Sequence, residues 1–221
     1  MAYIQHELSF PCVESATQEG LLAYGGDLSA NRLLLAYRSG IFPWYNINDP
    51  ILWWSPNPRL VLFLDEFILR KSLKKRMKHF EIKYDTAFME LITECGKVPR
   101  DGQDGSWIIP EIVEAYSILN DMGYAHSIEA WQDGELVGGL YGVAIGKMFF
   151  GESMFAKVND ASKVALATLI EKLQKEGFSI IDCQVPTQHL KSLGAREISR
   201  QSFINILKIE TAKDSKPRNW T

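Results

Sequence analysis

The order of apolar patterns between residues 126 and 185 constrains the fold of this chain more than any other feature of the sequence. The pair Asp133-Gly134 favours positive φ at both positions, so it predicts a tight hairpin turn between two strand-like runs. A third strand-like run, an apolar face with helical spacing and a buried strand follow. The predicted elements are strands at 126–131, 136–145 and 148–155, a helix at 161–175 and a strand at 179–185.

Three antiparallel strands, a helix and a further strand form the central order of the GNAT acyltransferase fold. In that fold the last two strands splay apart and admit the acyl donor, although the analogy says little about the donor itself. An acetyl-CoA enzyme normally holds the pyrophosphate with a glycine-rich loop where the helix begins. The corresponding junction, 156–161, contains no glycine, which counts against acetyl-CoA.

Residues 1–60 are rich in turn-forming and aromatic residues and predict a small, irregular N-terminal domain. Ser29 suits the N-cap of a short helix there, and Gly40 suits its end. The fold class is therefore α+β, with a GNAT-like domain at 61–221 that contains a mixed, mainly antiparallel sheet. Further elements predicted in this domain are a strand at 61–64 and helices at 86–94 and 111–121.

One short segment concentrates positive charge on an otherwise acidic chain. Its six cations are Arg70, Lys71, Lys74, Lys75, Arg76 and Lys78. The net charge of −3 minus these six charges leaves −9 for the rest. Asp65 and Glu66 suit the start of a helix through this segment, because the N-terminal end of a helix is positive. Such a patch fits a polyanionic partner that approaches one face, and a solvated helix face is the alternative.

The spacing of cysteines and histidines predicts neither a disulfide framework nor a metal site. The three cysteines form no C-x-x-C pair, and the four histidines show no H-x-H or H-E-x-x-H spacing. No stretch approaches the roughly 20 consecutive apolar residues of a membrane span. We therefore expect a cytoplasmic protein without metal or membrane association.

Three polar side chains on two strands are the candidates for chemistry. Alternation in 181–185 puts Asp182 and Gln184 on one face and the apolar residues Ile181, Cys183 and Val185 on the other. Glu152 lies in the preceding predicted strand. Strict alternation would put Glu152 and Phe149 on opposite faces of that strand, so a pocket that both residues line requires a bulge or a splayed strand end. A structural role is the alternative for each acid, because a buried carboxylate must be paired.

Seven ordered blocks combine residues of low frequency. They are Gly25-Gly26-Asp27-Leu28-Ser29, Ser39-Gly40-Ile41-Phe42-Pro43-Trp44, Trp53-Trp54-Ser55-Pro56-Asn57-Pro58-Arg59, His126-Ser127-Ile128-Glu129, Leu136-Val137-Gly138-Gly139-Leu140-Tyr141-Gly142, Phe150-Gly151-Glu152-Ser153-Met154-Phe155 and Ser192-Leu193-Gly194-Ala195. In this order they resemble the leucyl/phenylalanyl-tRNA-protein transferase family over about 20–205. The resemblance implies an enzyme that moves Leu or Phe, and Met less well, from aminoacyl-tRNA to proteins beginning with Arg or Lys, which tags them for N-degron proteolysis.

The resemblance also implies roles for individual residues. Trp44 and Trp107 would hold the terminal adenosine of the tRNA, with Tyr116 nearby, and the basic segment would contact the acceptor stem. The implied pocket for the donor side chain consists of Leu140, Phe149, Gly151, Met154, Ala165, Leu169 and Ile181. Leu169 replaces an aromatic residue of well-known relatives, which keeps the pocket apolar but changes its contour.

The implied reaction is aminolysis of an ester, which needs no cofactor because the ester is already activated. In the account given for this family, Gln184 interacts with the acceptor amine and is itself polarised by Asp182. Because a neutral amide is a poor proton acceptor, we expect Gln184 to orient the amine and Asp182 or the leaving oxygen to take the proton. We expect Glu152 to hold Gln184 or the acceptor's cationic side chain, and both acids to supply the field that selects Arg or Lys.

Two other functions stay open. An acetyl-CoA-dependent enzyme of the same fold is one, and the glycine-free junction counts against it. A noncatalytic RNA-binding module is the other; it would explain the basic segment and the tryptophans but would have no use for Asp182 beside Gln184.

Overall fold

The computed structural model of the chain describes residues 2–5, 7–98, 106–214 and 216–220. Its strands are β1 (Ala2–Ile4), β2 (Leu21–Gly25), β3 (Phe42–Pro43), β4 (Leu52–Trp54), β5 (Arg59–Phe63), β6 (Glu81–Tyr84), β7 (Ala125–Gln132), β8 (Glu135–Ile145), β9 (Met148–Ala156), β10 (Ile180–Gln184) and β11 (Arg196–Ile198). Its α-helices are α1 (Ala30–Arg38), α2 (Lys71–Arg76), α3 (Phe88–Gly96), α4 (Pro110–Asp121), α5 (Ala161–Lys175), α6 (Gln188–Lys191) and α7 (Arg200–Ala212). Short 3-10 turns occur at Val13–Ser15, Leu64–Glu66 and Met77–His79.

The strands form a small sheet and a large one. The small sheet has the order β1-β2-β4-β3, and the large, seven-stranded sheet has the order β11-β5-β10-β9-β8-β7-β6. In the large sheet β9 and β10 run parallel, whereas the other described neighbours run antiparallel. The predicted fold class, α+β with a mixed, mainly antiparallel sheet, is confirmed. The domain boundary at residue 60 stays a prediction.

Local sequence rules predicted several elements correctly. Asp133 and Gly134 have φ of 52° and 82° in the turn between β7 and β8, as their residue types favour. Helix α5 has the predicted bounds. The Ser29 hydroxyl caps α1 by accepting from the Arg32 N–H, and Gly40 follows the helix with φ of 76°.

The helix predicted through the basic segment is shorter than expected. It begins at Lys71, and the acidic pair Asp65-Glu66 lies in a separate 3-10 turn rather than at its N-terminus. The backbone between them is extended at Phe67 and Arg70, and the Ile68 N–H donates to the Leu193 carbonyl at 3.0 Å rather than within a helix. This contact with the loop before β11 interrupts the helical path, so the acidic pair does not stabilise the start of α2.

The apolar core covers both faces of the large sheet. One cluster packs the small sheet and helices α1, α3, α4 and α7 against one face, and it includes Tyr37 and Phe150, whose ring centroids are 5.0 Å apart. Another cluster packs α5 against the opposite face and includes Phe149 and Leu169. Neighbouring residues of β9 thus enter different cores, as alternation requires. None of the described helices has both the length and the apolar character that a membrane crossing requires.

Glycine in β8 lets α5 approach the sheet closely. A Cβ atom at Gly138 would lie 2.5 Å from the Ala161 Cβ, at the first turn of α5, and 3.0 Å from the Phe155 carbonyl oxygen. Both neighbours belong to regular elements that cannot shift independently. The packing of α5 on the sheet therefore depends on glycine at this position.

We predict that Gly138→Ala lowers the free energy of unfolding by about 1 to 3 kcal/mol, because the added methyl overpacks this contact. Urea denaturation followed by circular dichroism measures the loss. Glu135→Ala, at an exposed position of the same strand, is the control and should change stability by less than about 0.5 kcal/mol. Equal stabilities of the two variants would contradict the packing argument.

Candidate active site

A bulge in β9 brings an acidic side chain to the edge of an apolar cavity. Tyr141 and Gly142, consecutive in β8, pair with Ser153 and Gly151, so Glu152 is the extra residue between them. Glu152 and Phe149 consequently line the same cavity. A pocket that both residues line requires a bulge in β9, and the structure has that bulge.

The cavity opens where β9 and β10 stop pairing. The parallel pairs end at Asp182 and Phe150, and the space beyond has a volume of about 350 Å³. Six of the seven residues predicted for the donor pocket line it: Leu140, Phe149, Gly151, Met154, Leu169 and Ile181. Ala165 does not line it, although it is fully buried in the adjoining core.

Sequence reasoning missed several lining residues. They are Leu62, Tyr141, Ser153, Leu166, Cys183, Val185, Thr187, His189 and Leu190. Leu166 lies three residues before Leu169, which puts both on one face of a helix, so this spacing could have identified Leu166. Leu62 lies opposite Ile181 through the pairing of β5 with β10, which links strands far apart in the sequence.

Glu152 is held by hydroxyl and amide donors. The Tyr37 hydroxyl donates to Oε1 at 2.7 Å, the Tyr116 hydroxyl to Oε2 at 3.2 Å and the Gln184 side-chain amide to Oε1 at 3.4 Å. The two tyrosine hydroxyl oxygens also contact each other; because each hydroxyl has one hydrogen, this contact is a hydrogen bond only when one of the two does not donate to Glu152. Burial raises the pKa of Glu152 to about 7, and the hydrogen bonds from Tyr37 and Tyr116 act in the opposite direction. Tyr37 had no distinguishing signal in the sequence.

Asp182 forms a fully buried ion pair on the other side of the sheet. Arg59 donates through Nε to Oδ1 at 2.8 Å and through Nη2 to Oδ2 at 2.7 Å. A third donor, Nη1 of Arg59, reaches the Gly40 carbonyl at 3.3 Å. The guanidinium carbon lies 4.8 Å from the Phe42 ring centroid and 4.5 Å from that of Phe203. Both carboxylate oxygens of Asp182 are thus engaged, and Asp182 does not line the cavity.

The prediction that Asp182 and Gln184 share a face is wrong. The pairing of β10 with β5 shifts register between them, and Gln184 has φ of 56°. This irregularity turns Gln184 into the cavity while Asp182 faces Arg59. The Gln184 N–H donates to Asp182 Oδ1 at 3.0 Å, so the carboxylate helps to hold a backbone conformation that is unfavourable for a non-glycine residue.

The residues predicted to hold adenosine do not line this cavity. Trp44 is half-buried against Trp54, with ring centroids 5.7 Å apart, and Trp107 is buried in the core. The Tyr116 ring is buried as well, and its hydroxyl contacts Glu152. Their roles stay predictions.

The basic segment is largely free at the surface. Arg70, Lys71, Lys74, Lys75 and Lys78 are exposed. Arg76 is half-buried, donates to the Asn159 carbonyl at 3.2 Å and lies 4.0 Å from the Asp160 carboxylate. Five of the six cations therefore remain accessible, and contact with tRNA stays a prediction.

Comparisons with known proteins identify the family of this chain. The family model described as "Leucyl/phenylalanyl-tRNA protein transferase" matches residues 61–208, and the model of the N-terminal domain of that family matches residues 26–57. The chain belongs to the leucyl/phenylalanyl-tRNA-protein transferase family. It is therefore a transferase, and the resemblance seen in the seven sequence blocks is confirmed.

Individual relatives cover nearly the whole chain. The leucyl/phenylalanyl-tRNA-protein transferase of Sulfurimonas denitrificans is 58% identical over 92% of this chain and 90% of its own length. That of Syntrophobacter fumaroxidans is 56% identical over 92% of this chain and 88% of its own length. Among solved structures, a GCN5-related N-acetyltransferase from Sphaerobacter thermophilus matches 84% of this chain and 60% of its own with a TM-score of 0.37 and 14% identity.

We predict that Arg59→Met lowers the free energy of unfolding by about 3 to 5 kcal/mol, because it leaves the Asp182 carboxylate buried without a partner. The double variant Arg59→Met with Asp182→Leu should lose less, since no buried charge is left over. Guanidinium denaturation measures both. Arg76→Met, which breaks a partly exposed ion pair, is the control and should lose at most about 1 kcal/mol. A double variant less stable than Arg59→Met would count against the argument.

Proposed function

We propose that this chain transfers Leu or Phe, and Met less well, from aminoacyl-tRNA to the N-terminal α-amine of proteins that begin with Arg or Lys. The products enter N-degron proteolysis in the cytoplasm. The observation that carries the proposal is the apolar cavity of about 350 Å³ whose wall bears the hydrogen-bonded pair of Glu152 and Gln184. An apolar side chain can occupy the cavity while its carbonyl carbon stays at the polar pair.

The donor would enter with its side chain in the cavity and its tRNA outside. Burial of a leucine or phenylalanine side chain against apolar residues such as Leu140, Met154 and Leu169 is favourable, because it removes apolar surface from water. In this proposal Trp44 and Trp107 hold the terminal adenosine, with Tyr116 nearby. The exposed cations of the basic segment contact the acceptor-stem phosphates, which fixes position without reading the tRNA sequence.

The reaction we propose is a balanced acyl transfer. The neutral α-amine of the acceptor attacks the aminoacyl carbonyl, so a C–N bond forms and the carbonyl oxygen becomes an oxyanion. The bond from that carbon to the adenosine 3'-oxygen then breaks as the carbonyl re-forms. One proton leaves the amine nitrogen and one reaches the departing oxygen, and the peptide bond and free tRNA result.

Within this reaction we assign the proton to Glu152 rather than to Asp182. A general base works best when its pKa lies near the operating pH, and Glu152 has a pKa of about 7 at the cavity wall. Asp182 is engaged on both oxygens by Arg59 and lies outside the cavity. Gln184 orients the amine, and Asp182 positions Gln184 through its backbone N–H.

Preference for Arg or Lys at the acceptor would come from the negative charge of the site. Among the described residues that line the cavity, Glu152 is the acidic one. The charge of Asp182 is offset at close range by Arg59. We therefore assign the larger share of the selecting field to Glu152.

The assay for this function uses radiolabelled leucyl-tRNA and two peptides that differ only in beginning with Arg or with Ala. We expect label on the Arg peptide alone. That result would establish the donor, the acceptor preference and the amide bond together. Label on neither peptide, with tRNA still bound, would leave an RNA-binding protein. Acetyl-CoA in place of the charged tRNA tests the remaining alternative and should label neither peptide.

The proton assignment predicts a distinct pH dependence. The turnover rate with saturating substrates should rise through about pH 7 as Glu152 loses its proton. Tyr37→Phe removes a hydrogen bond that lowers the pKa of Glu152, so its rising limb should move to higher pH. Glu152→Gln should lower the rate at pH 8 by about 100-fold and lose this limb, because the base is absent.

The acceptor amine also titrates, with an ordinary pKa of about 7.7 to 8, so its limb should remain in Glu152→Gln. Glu171→Gln, an exposed carboxylate on α5, is the control and should leave the profile unchanged. A limb near pH 7 that persists in Glu152→Gln would assign the proton to another group.

A further inference from the structure

The segment that follows α7 folds back onto the large sheet. Its Arg218 N–H donates to the Gly123 carbonyl at 2.8 Å, and the Arg218 guanidinium donates to the Gly146 carbonyl at 3.0 Å. A Cβ atom at Gly123 would lie 2.7 Å from the Arg218 carbonyl oxygen, so the two backbones are in close contact. Residues 216–220 therefore have a fixed path, and nothing in the reaction described above uses them.

This path delivers Trp220 into the core behind the donor pocket. The indole is only 7% exposed and belongs to the same apolar cluster as Leu140, Leu169 and Ile181, which line the cavity. It stacks on the His126 ring, with centroids 4.0 Å apart and planes at 13°. The His126 ring is itself held by the Asp85 carboxylate, 2.7 Å from Nδ1.

Phe149 connects Trp220 to the cavity. The two rings are nearly parallel, at 15°, with centroids 6.0 Å apart, and Phe149 also lines the pocket. On the sheet side, a Cβ atom at Gly142 would lie 2.5 Å from the Phe149 ring, so this ring rests directly on the β8 backbone. The sheet and the indole thus limit where the pocket wall at Phe149 can lie.

We propose that Trp220 determines donor specificity by holding Phe149 in place and so setting the depth of the amino-acid pocket. This inference rests on the proposed function. Without the indole, the Phe149 ring can move into the space that Trp220 occupied, and the pocket becomes deeper. A longer pocket favours the phenylalanyl over the leucyl donor, because Phe has the larger side chain to bury.

The test compares kcat/KM for phenylalanyl-tRNA and leucyl-tRNA, competing in one reaction with the Arg peptide as acceptor. Because both donors meet the same enzyme molecules, their ratio does not depend on the fraction that is folded. Trp220→Ala should shift the ratio about tenfold towards Phe, the scale on which pocket volume discriminates apolar side chains. Trp220→Phe should shift it less, since a ring remains against Phe149.

Phe80→Leu is the matched control, because Phe80 is buried in a different apolar cluster beside Leu73 and Val164. It should lower both rates and leave their ratio unchanged. If Trp220→Ala and Trp220→Phe behave as this control does, Trp220 is merely structural and the inference is overturned. If the unmodified protein transfers neither amino acid, the proposed function fails instead, so the two failures are distinguishable.

Discussion

The buried ion pair between Arg59 and Asp182 joins segments that are far apart in the sequence next to the candidate site. Burying two charges is unfavourable unless hydrogen bonds satisfy both, and here the guanidinium bonds both carboxylate oxygens and the Gly40 carbonyl. Its faces lie against Phe42, from the small sheet, and Phe203, from α7. One side chain at the start of β5 therefore holds the N-terminal region, the last helix and the end of β10 in a single arrangement.

The second constraint is the bulge at Glu152, which joins two environments that alternation alone would keep on separate faces. Tyr37 and Tyr116 approach its carboxylate from the core shared with the N-terminal region. Gln184 approaches from the cavity, on the side of α5. Because the extra residue changes which way the side chain points, Glu152 can receive hydrogen bonds from one core and line a cavity formed by the other.

Sequence reasoning succeeded where one segment determines its own structure and failed where distant segments decide. The hairpin at Asp133-Gly134 and helix α5 follow from local rules. Six residues named from the family resemblance line the cavity, and their role as a donor pocket stays a prediction. The partner of Asp182 lies 123 residues away, so nothing near Asp182 in the sequence reveals it. The positive φ of Gln184 reversed the face predicted by alternation, because that rule assumes a regular strand.

The two carboxylates near the cavity show how one sheet gives different chemistry to similar side chains. Burial raises the pKa of Glu152, the charge of Asp182 raises it further, and the charge of Arg59 lowers it. The ion pair therefore acts on Glu152 through opposing charges at the same time as Asp182 holds the backbone of Gln184. The two acids therefore differ in their contacts: Asp182 is held in an ion pair with Arg59, whereas Glu152 lies at the cavity wall with a pKa raised to about 7. The position of Gln184 thus depends on this buried ion pair, whereas the raised pKa of Glu152 comes mainly from its own burial.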